Sequence, residues 1–243
     1  ARFTPQAGQG IEQKHPYELT VAPEYRNFQK VEVTEVDESK PWKPAKKIKV
    51  TKENGEEVEI GASTPFFVFK NKDGKELTVS GEAAGHIDGL HIRGTDAGSV
   101  FDEPSLEALM KDASEKMPPS VASEPGVSAF DVEMGKSMGK EGIASMTELI
   151  RDGVLTSEDV AQATALKNEV MELNKAGTKE AKEAFVSSHA DGQIRFQLIR
   201  GDVLVPVVNT PKRPTTKLFM VFGPAEGDDR KTMYTAAPGR NMP

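Results

Sequence analysis

Asn54-Gly55 is the strongest constraint on what this chain can fold into. Apolar residues recur at every second position on both sides of it, Ile48 and Val50 before and Val58 and Ile60 after. A two-residue Asn-Gly turn needs backbone that only such residues adopt readily, and its twist matches that of flanking strands, so the segment is an antiparallel hairpin. A second hairpin follows at once: Phe66 to Phe69, the turn Asn71-Lys72-Asp73-Gly74, then Leu77 and Val79. With Val31, Val33 and Val36 opening a strand, residues 28–80 read as a β-rich accessory part. Its basic run Lys40, Lys43, Lys46, Lys47, Lys49 and Lys52 is answered by Glu53, Glu56, Glu57 and Glu59. Opposite charges across paired strands explain that run better than a polyanion site does.

The period then changes. Asp102-Glu103-Pro104 starts a helix whose stripe is Leu106, Leu109, Met110 and Ala113, and Pro118-Pro119 stop it after Met117. Residues 118–142 are Pro, Ser, Gly and Met with few large aliphatics and read as a long loop. Helices resume over 143–151. Thr156 to Asp159 then cap a helix carrying Val160, Ala163, Leu166, Val170 and Leu173, and a further helix runs from Thr178 to about Ser188. Strand patterns return at Ile194, Val203, Leu218 and Thr232. The order is a β-rich N-terminal part, a helical middle and a C-terminal antiparallel sheet, which is an α+β protein. Residues 1–27, rich in Pro, Gly and Gln, read as a flexible leader, and 81–243 as the catalytic domain with a helical insertion at about 118–190.

Charge is unevenly spread within the net of −7. Residues 81–192 hold 10 basic and 21 acidic residues, whereas 193–243 hold 8 basic and 4 acidic. Only the C-terminal block can present a basic face to a polyanion. No apolar run approaches the roughly 20 residues that span a bilayer, so we expect a soluble chain with no membrane partner. The start at Ala1 fits a piece of a longer protein, or one whose leader has been removed. The absence of cysteine excludes disulfides, thiolate metal sites and a cysteine nucleophile.

The sequence narrows the chemistry further. His86 and His91 in the run Gly85–Arg93 are five apart, whereas helical metal pairs are three or four apart, so no metal is expected. G-x-S-x-G, P-loop and dinucleotide fingerprints are absent, and no cofactor is indicated. An ADP-ribosyl transfer would need a catalytic glutamate well placed near the final strands, and none is so placed. Metal-free RNA cleavage remains. It needs a base for the 2′-hydroxyl and donors around the phosphorane. His86, His91 and Arg93 supply the first set; Thr232 and Tyr234, with Arg230, Lys231, Thr235 and Arg240, supply the second. Strand alternation puts Arg230, Thr232 and Tyr234 on one face and Lys231, Met233 and Thr235 on the other. The Thr232/Tyr234 face is the catalytic candidate, because Met233 belongs in a core.

A histidine-bearing segment followed by a closing strand with Thr232, Tyr234, Thr235 and then Pro238-Gly239 resembles the ribonuclease toxins of the barnase–EndoU–colicin–RelE type. The resemblance covers roughly 81–243 and is interrupted by the acidic helices. Ala236-Ala237 separate Thr235 from Pro238, a departure from the pattern. It implies His86 or His91 as base, Arg93 as phosphate partner, and Thr232, Tyr234 and Arg240 as phosphate ligands. It also implies RNA as substrate, an inhibitor protein as partner, and a bacterial or phage toxin that is secreted or delivered into a target cytosol. The rival expectation is a non-catalytic interaction module of a larger bacterial or phage assembly.

Overall fold

The computed structural model describes residues 15–40, 43–94, 99–142, 144–199, 201–208 and 213–239. The fold is α+β. A six-stranded sheet is built from β1 (Tyr17–Val21), β5 (Pro65–Asn71), β6 (Glu76–Ser80), β13 (Asp228–Pro238), β12 (Lys217–Ala225) and β7 (Ser128–Glu133), in that spatial order. All neighbours are antiparallel except β6 and β13, which run parallel. This parallel pair joins the second N-terminal hairpin to the C-terminal hairpin. β5 and β6, which the sequence assigns to the accessory part, therefore lie in the same sheet as the closing strands. A smaller sheet holds β2 (Phe28–Val36), β3 (Ala45–Lys52) and β4 (Glu57–Gly61), and β8 (Gly139–Gly142) pairs with β11 (Arg213–Thr215).

Both hairpins turn where the sequence places them, but the first is not a two-residue turn: the Lys52 N–H donates to the Glu56 carbonyl at 2.8 Å around Glu53-Asn54-Gly55, and only the glycine of the three has positive φ. Gly55 and Gly74 take positive φ, and the Asn54 and Asn71 amide oxygens accept backbone N–H groups across their turns. Lysines and glutamates of the small sheet pair as expected, with Lys49 bridging Glu57 at 2.8 Å and Glu32 at 3.5 Å. Two strands of the main sheet differ from the sequence reading, and the single helix read from Thr156 through Leu173 is broken at Leu166 into two. Tyr17–Val21, read as leader, is an edge strand. Its Tyr17 is buried, and the phenol lies 3.0 and 2.9 Å from the Pro118 and Pro119 carbonyls. Ser128–Glu133, read as loop, pairs along β12 in register from Phe222 to Lys217. Phe130 and Val132 are its only large apolar residues, so its strand character comes from the edge that β12 offers.

The helices comprise α1 (Gly81–His86), α2 (Leu106–Lys116), α3 (Met146–Arg151), α4 (Ser157–Ala165), α5 (Lys167–Ala176) and α6 (Lys179–Ser188). Ser145 with Glu148 and Thr156 with Asp159 form capping boxes that start α3 and α4. Among the described residues, no helix is long and apolar enough to cross a membrane. Alternation along β12 divides the packing. Leu218, Met220 and Phe222 join the main core with α1, α2 and the small sheet, whereas Phe219 and Val221 pack with Tyr234 against the hairpin β9 (Ile194–Ile199)–β10 (Val203–Val208). That hairpin is held from outside by α6, through Phe185 against Phe196.

Candidate functional site

A cleft of about 920 Å³ opens over the second face of the main sheet. One wall is β2 with α1 and the turn that follows it, the opposite wall is the β9–β10 hairpin, and β12 and β13 supply the floor. Its lining is mainly apolar, with a few convergent polar groups, which is the usual make-up of a ligand site. His86, His91, Arg93, Tyr234 and Thr235 all line it. The topology thus brings together two groups of residues more than a hundred positions apart.

The histidines meet because α1 does not continue as an α-helix. Ile87–Ile92 is a π-helical turn, with the Arg93 N–H donating to the Asp88 carbonyl five residues back at 2.9 Å. On an α-helix, residues five apart are rotated by about 140° from each other. The wider π-turn returns to nearly the same face, and the two imidazoles lie 5.3 Å apart, edge to face. Helical π segments are rare and concentrate at functional sites. The spacing that argues against a pair on an α-helix is the spacing a π-turn requires.

His91 is fixed by its surroundings. Its Nδ1 lies 2.6 Å from the Ser99 carbonyl, which can only accept, so Nδ1 carries the hydrogen. Neutral His91 therefore has Nε2 as its basic nitrogen. The Phe101 N–H also donates to the His91 carbonyl at 2.7 Å, which binds the 99–101 segment along the turn. His86 lies deeper. Burial, with a smaller effect from His91, pushes its pKa down to about 4, so it is neutral at physiological pH.

The floor departs from simple strand alternation. Val221 pairs with Thr235 but Phe222 pairs with Met233, so Tyr234 is the extra residue of a β-bulge. Met233 and Ala236 both enter the main core, and Tyr234, Thr235 and Ala237 all face the cleft. Tyr234 is buried and lies across Gly223, donating its hydroxyl to the Pro224 carbonyl at 2.8 Å. The half-buried Thr235 hydroxyl is the cleft group that alternation assigns to the wrong face.

The remaining candidates sit elsewhere. Thr232 is buried and donates to the Thr78 carbonyl at 3.2 Å across the parallel β6–β13 pair. Arg230 grips Asp228 with Nε and Nη2 and reaches Glu76 at 3.2 Å, away from the cleft. Lys231, 8% exposed, points to the core side, where Nζ donates to Ser128 Oγ at 2.8 Å. Burial lowers its pKa. Arg240 lies outside the described residues. Sequence reasoning missed Ser99 and Asp88; for Asp88 the signal was its place five residues before Arg93. Among the described residues, no three or more histidine, aspartate and glutamate side chains converge as a metal site would need.

Lys231→Met is expected to change stability by less than about 1.5 kcal/mol, because a similar volume replaces a desolvated amine, and to leave any activity of the cleft intact. Urea unfolding and activity of the same preparation check both. A lost activity at unchanged stability would place Lys231 in the site.

No protein-family model, curated protein or solved structure matches this chain.

Proposed function

We propose that the cleft cleaves RNA without a metal, by general-base attack of a 2′-hydroxyl on the adjacent phosphodiester. The observation that carries this reading is that His86, at the end of α1, and His91, in the π-turn, line one cleft with Tyr234 and Thr235, with His91 held in the tautomer that leaves Nε2 basic. In this reading His91 Nε2 takes the 2′-hydroxyl proton and the 2′-oxygen attacks phosphorus. The 5′-oxygen departs and takes a proton from solvent water, and the proton held by His91 neutralises the hydroxide so formed, leaving a 2′,3′-cyclic phosphate, a 5′-hydroxyl and neutral His91. Neutral His86 and the Thr235 hydroxyl serve as hydrogen-bond donors to the phosphoryl oxygens rather than as charges.

The test is cleavage of a mixed-sequence RNA in EDTA. The wild-type protein is expected to yield cyclic-phosphate ends and to leave an all-deoxy strand intact. His91→Ala is expected to lose at least about 100-fold in rate and Thr235→Val about tenfold. Inert wild-type protein, or full cleavage by both His86→Ala and His91→Ala, would sink the reading.

The apolar lining favours one second reading, a non-catalytic binding module. The cations at the cleft are engaged, Lys43 with Glu38 at 3.7 Å and Arg93 with Asp88 at 2.9 Å. Such a site suits a partner or ligand with an apolar body. It would show as inert RNA together with a complex that survives substitution of both histidines.

A further inference from the structure

We infer that Asp88 and Arg93 are positioning residues that lock the π-turn against β2, and that Arg93 is not a phosphate ligand. Asp88 is 2% exposed, a costly place for a carboxylate unless it is paired. Its Oδ2 accepts two hydrogen bonds, from the Val31 N–H at 2.9 Å and from Arg93 Nε at 2.9 Å. Arg93 Nη2 then donates to the Val31 carbonyl at 3.2 Å. β2 is an edge strand of the small sheet. The carboxylate and guanidinium together give Val31 the acceptor and donor that a neighbouring strand would have supplied. Asp88 and Arg93 are themselves five apart, so they reach the same backbone unit only while the turn keeps its π geometry.

This clamp has a direct consequence for the histidines. Without it the segment is free to rewind as α-helix, which rotates position 91 by about 140° from position 86 and takes His91 from Ser99. The guanidinium is also the wrong group to assign to substrate. Two of its nitrogens are committed to Asp88 and Val31, and the fork that makes Arg suited to phosphate is the fork in use here. Lysine cannot replace it, because a single ammonium on a flexible stem does not span both partners.

The activity part of this inference rests on the RNA-cleaving reading; the structural part does not. The experiment follows the His86 and His91 imidazole resonances by NMR titration in the wild type, Asp88→Asn, Arg93→Gln and Arg93→Lys, with RNA cleavage measured alongside. All three variants are expected to move the His86 midpoint from about 4 toward its ordinary 6.5. They should also lose about 100-fold in cleavage, the penalty of an ångström-scale misplacement. Unchanged His86 titration in Arg93→Gln and Arg93→Lys would overturn the clamp. So would substantial cleavage by Arg93→Lys with a salt slope reduced by about one in Arg93→Gln, the signature of a lost phosphate contact. Should Asp88→Asn not fold, the two Arg93 variants carry the test, since Arg93 is on the surface and its removal opens no cavity. If the wild type cleaves no RNA, the titrations still decide the clamp and only the proposed activity falls.

Discussion

Gly223→Ala is expected to destabilise the protein by about 2–3 kcal/mol and to disorder the floor of the cleft. A Cβ at position 223 would stand 2.6 Å from Tyr234 Cζ and 2.7 Å from its Oη. The ring cannot simply swing aside. It is 6% exposed, packs with Val203, Phe219 and Val221, and is tethered to the Pro224 carbonyl through its hydroxyl. Overpacking of this kind typically costs 1–3 kcal/mol, and losing a buried hydrogen bond adds to it. The glycine is thus required by close approach, not by its φ. The measurement is urea unfolding of wild type, Gly223→Ala, Tyr234→Ala and the double variant. The clash predicts strong coupling: in the Tyr234→Ala background the glycine substitution should cost less than about 0.5 kcal/mol. Additive losses would show that Gly223 acts through something other than the tyrosine ring.

That contact marks the limit of what the sequence could reveal. Both N-terminal hairpins, the capped helices and the closing strand were legible, because each depends on neighbours within a dozen residues. Asn54-Gly55 and Thr156 with Asp159 are local devices. The sheet order was not legible. The β6–β13 parallel contact joins Thr78 to Thr232, and β7 is a strand only because β12 lies beside it. The site divides in the same way. The histidines, Arg93 and Tyr234 could be named from residue type, and the structure gathers them at one cleft. Strict alternation misassigned Thr235, since one extra residue at Tyr234 reverses which residues face the cleft beyond it, whereas Thr232 precedes the bulge and is engaged by the Thr78 carbonyl instead. The π-turn was equally hidden. A five-residue histidine spacing is meaningless on an α-helix, and the hydrogen bonds that hold the other winding come from Val31, about sixty residues away.

His86 sets the second large effect, on stability in acid. Its pKa is about 4 in the folded protein and about 6.5 when unfolded, because burial disfavours the imidazolium. Between those values the unfolded chain binds the proton and the folded protein does not. The contribution is therefore fully present above pH 6.5, is lost as pH falls toward 4, and levels off below that. The loss is on the order of 3 kcal/mol. Other groups act in the same range. Glu103 is raised by burial and by Asp112, so its contribution has the opposite sign, fading as pH rises. Glu32, lowered by Lys30 and Lys49 against the opposing effect of burial, and Asp228, lowered by hydrogen bonds from Arg230, lose their contributions only as pH falls through the carboxylate range. The comparison that isolates the histidine is wild type against His86→Gln, which keeps a polar side chain of similar reach but does not titrate. Denaturant midpoints measured from pH 7 to pH 4 should fall more steeply for the wild type, and the two curves should diverge most between pH 6.5 and 4. Parallel curves would mean that His86 takes up its proton in the folded cleft as readily as in the unfolded chain.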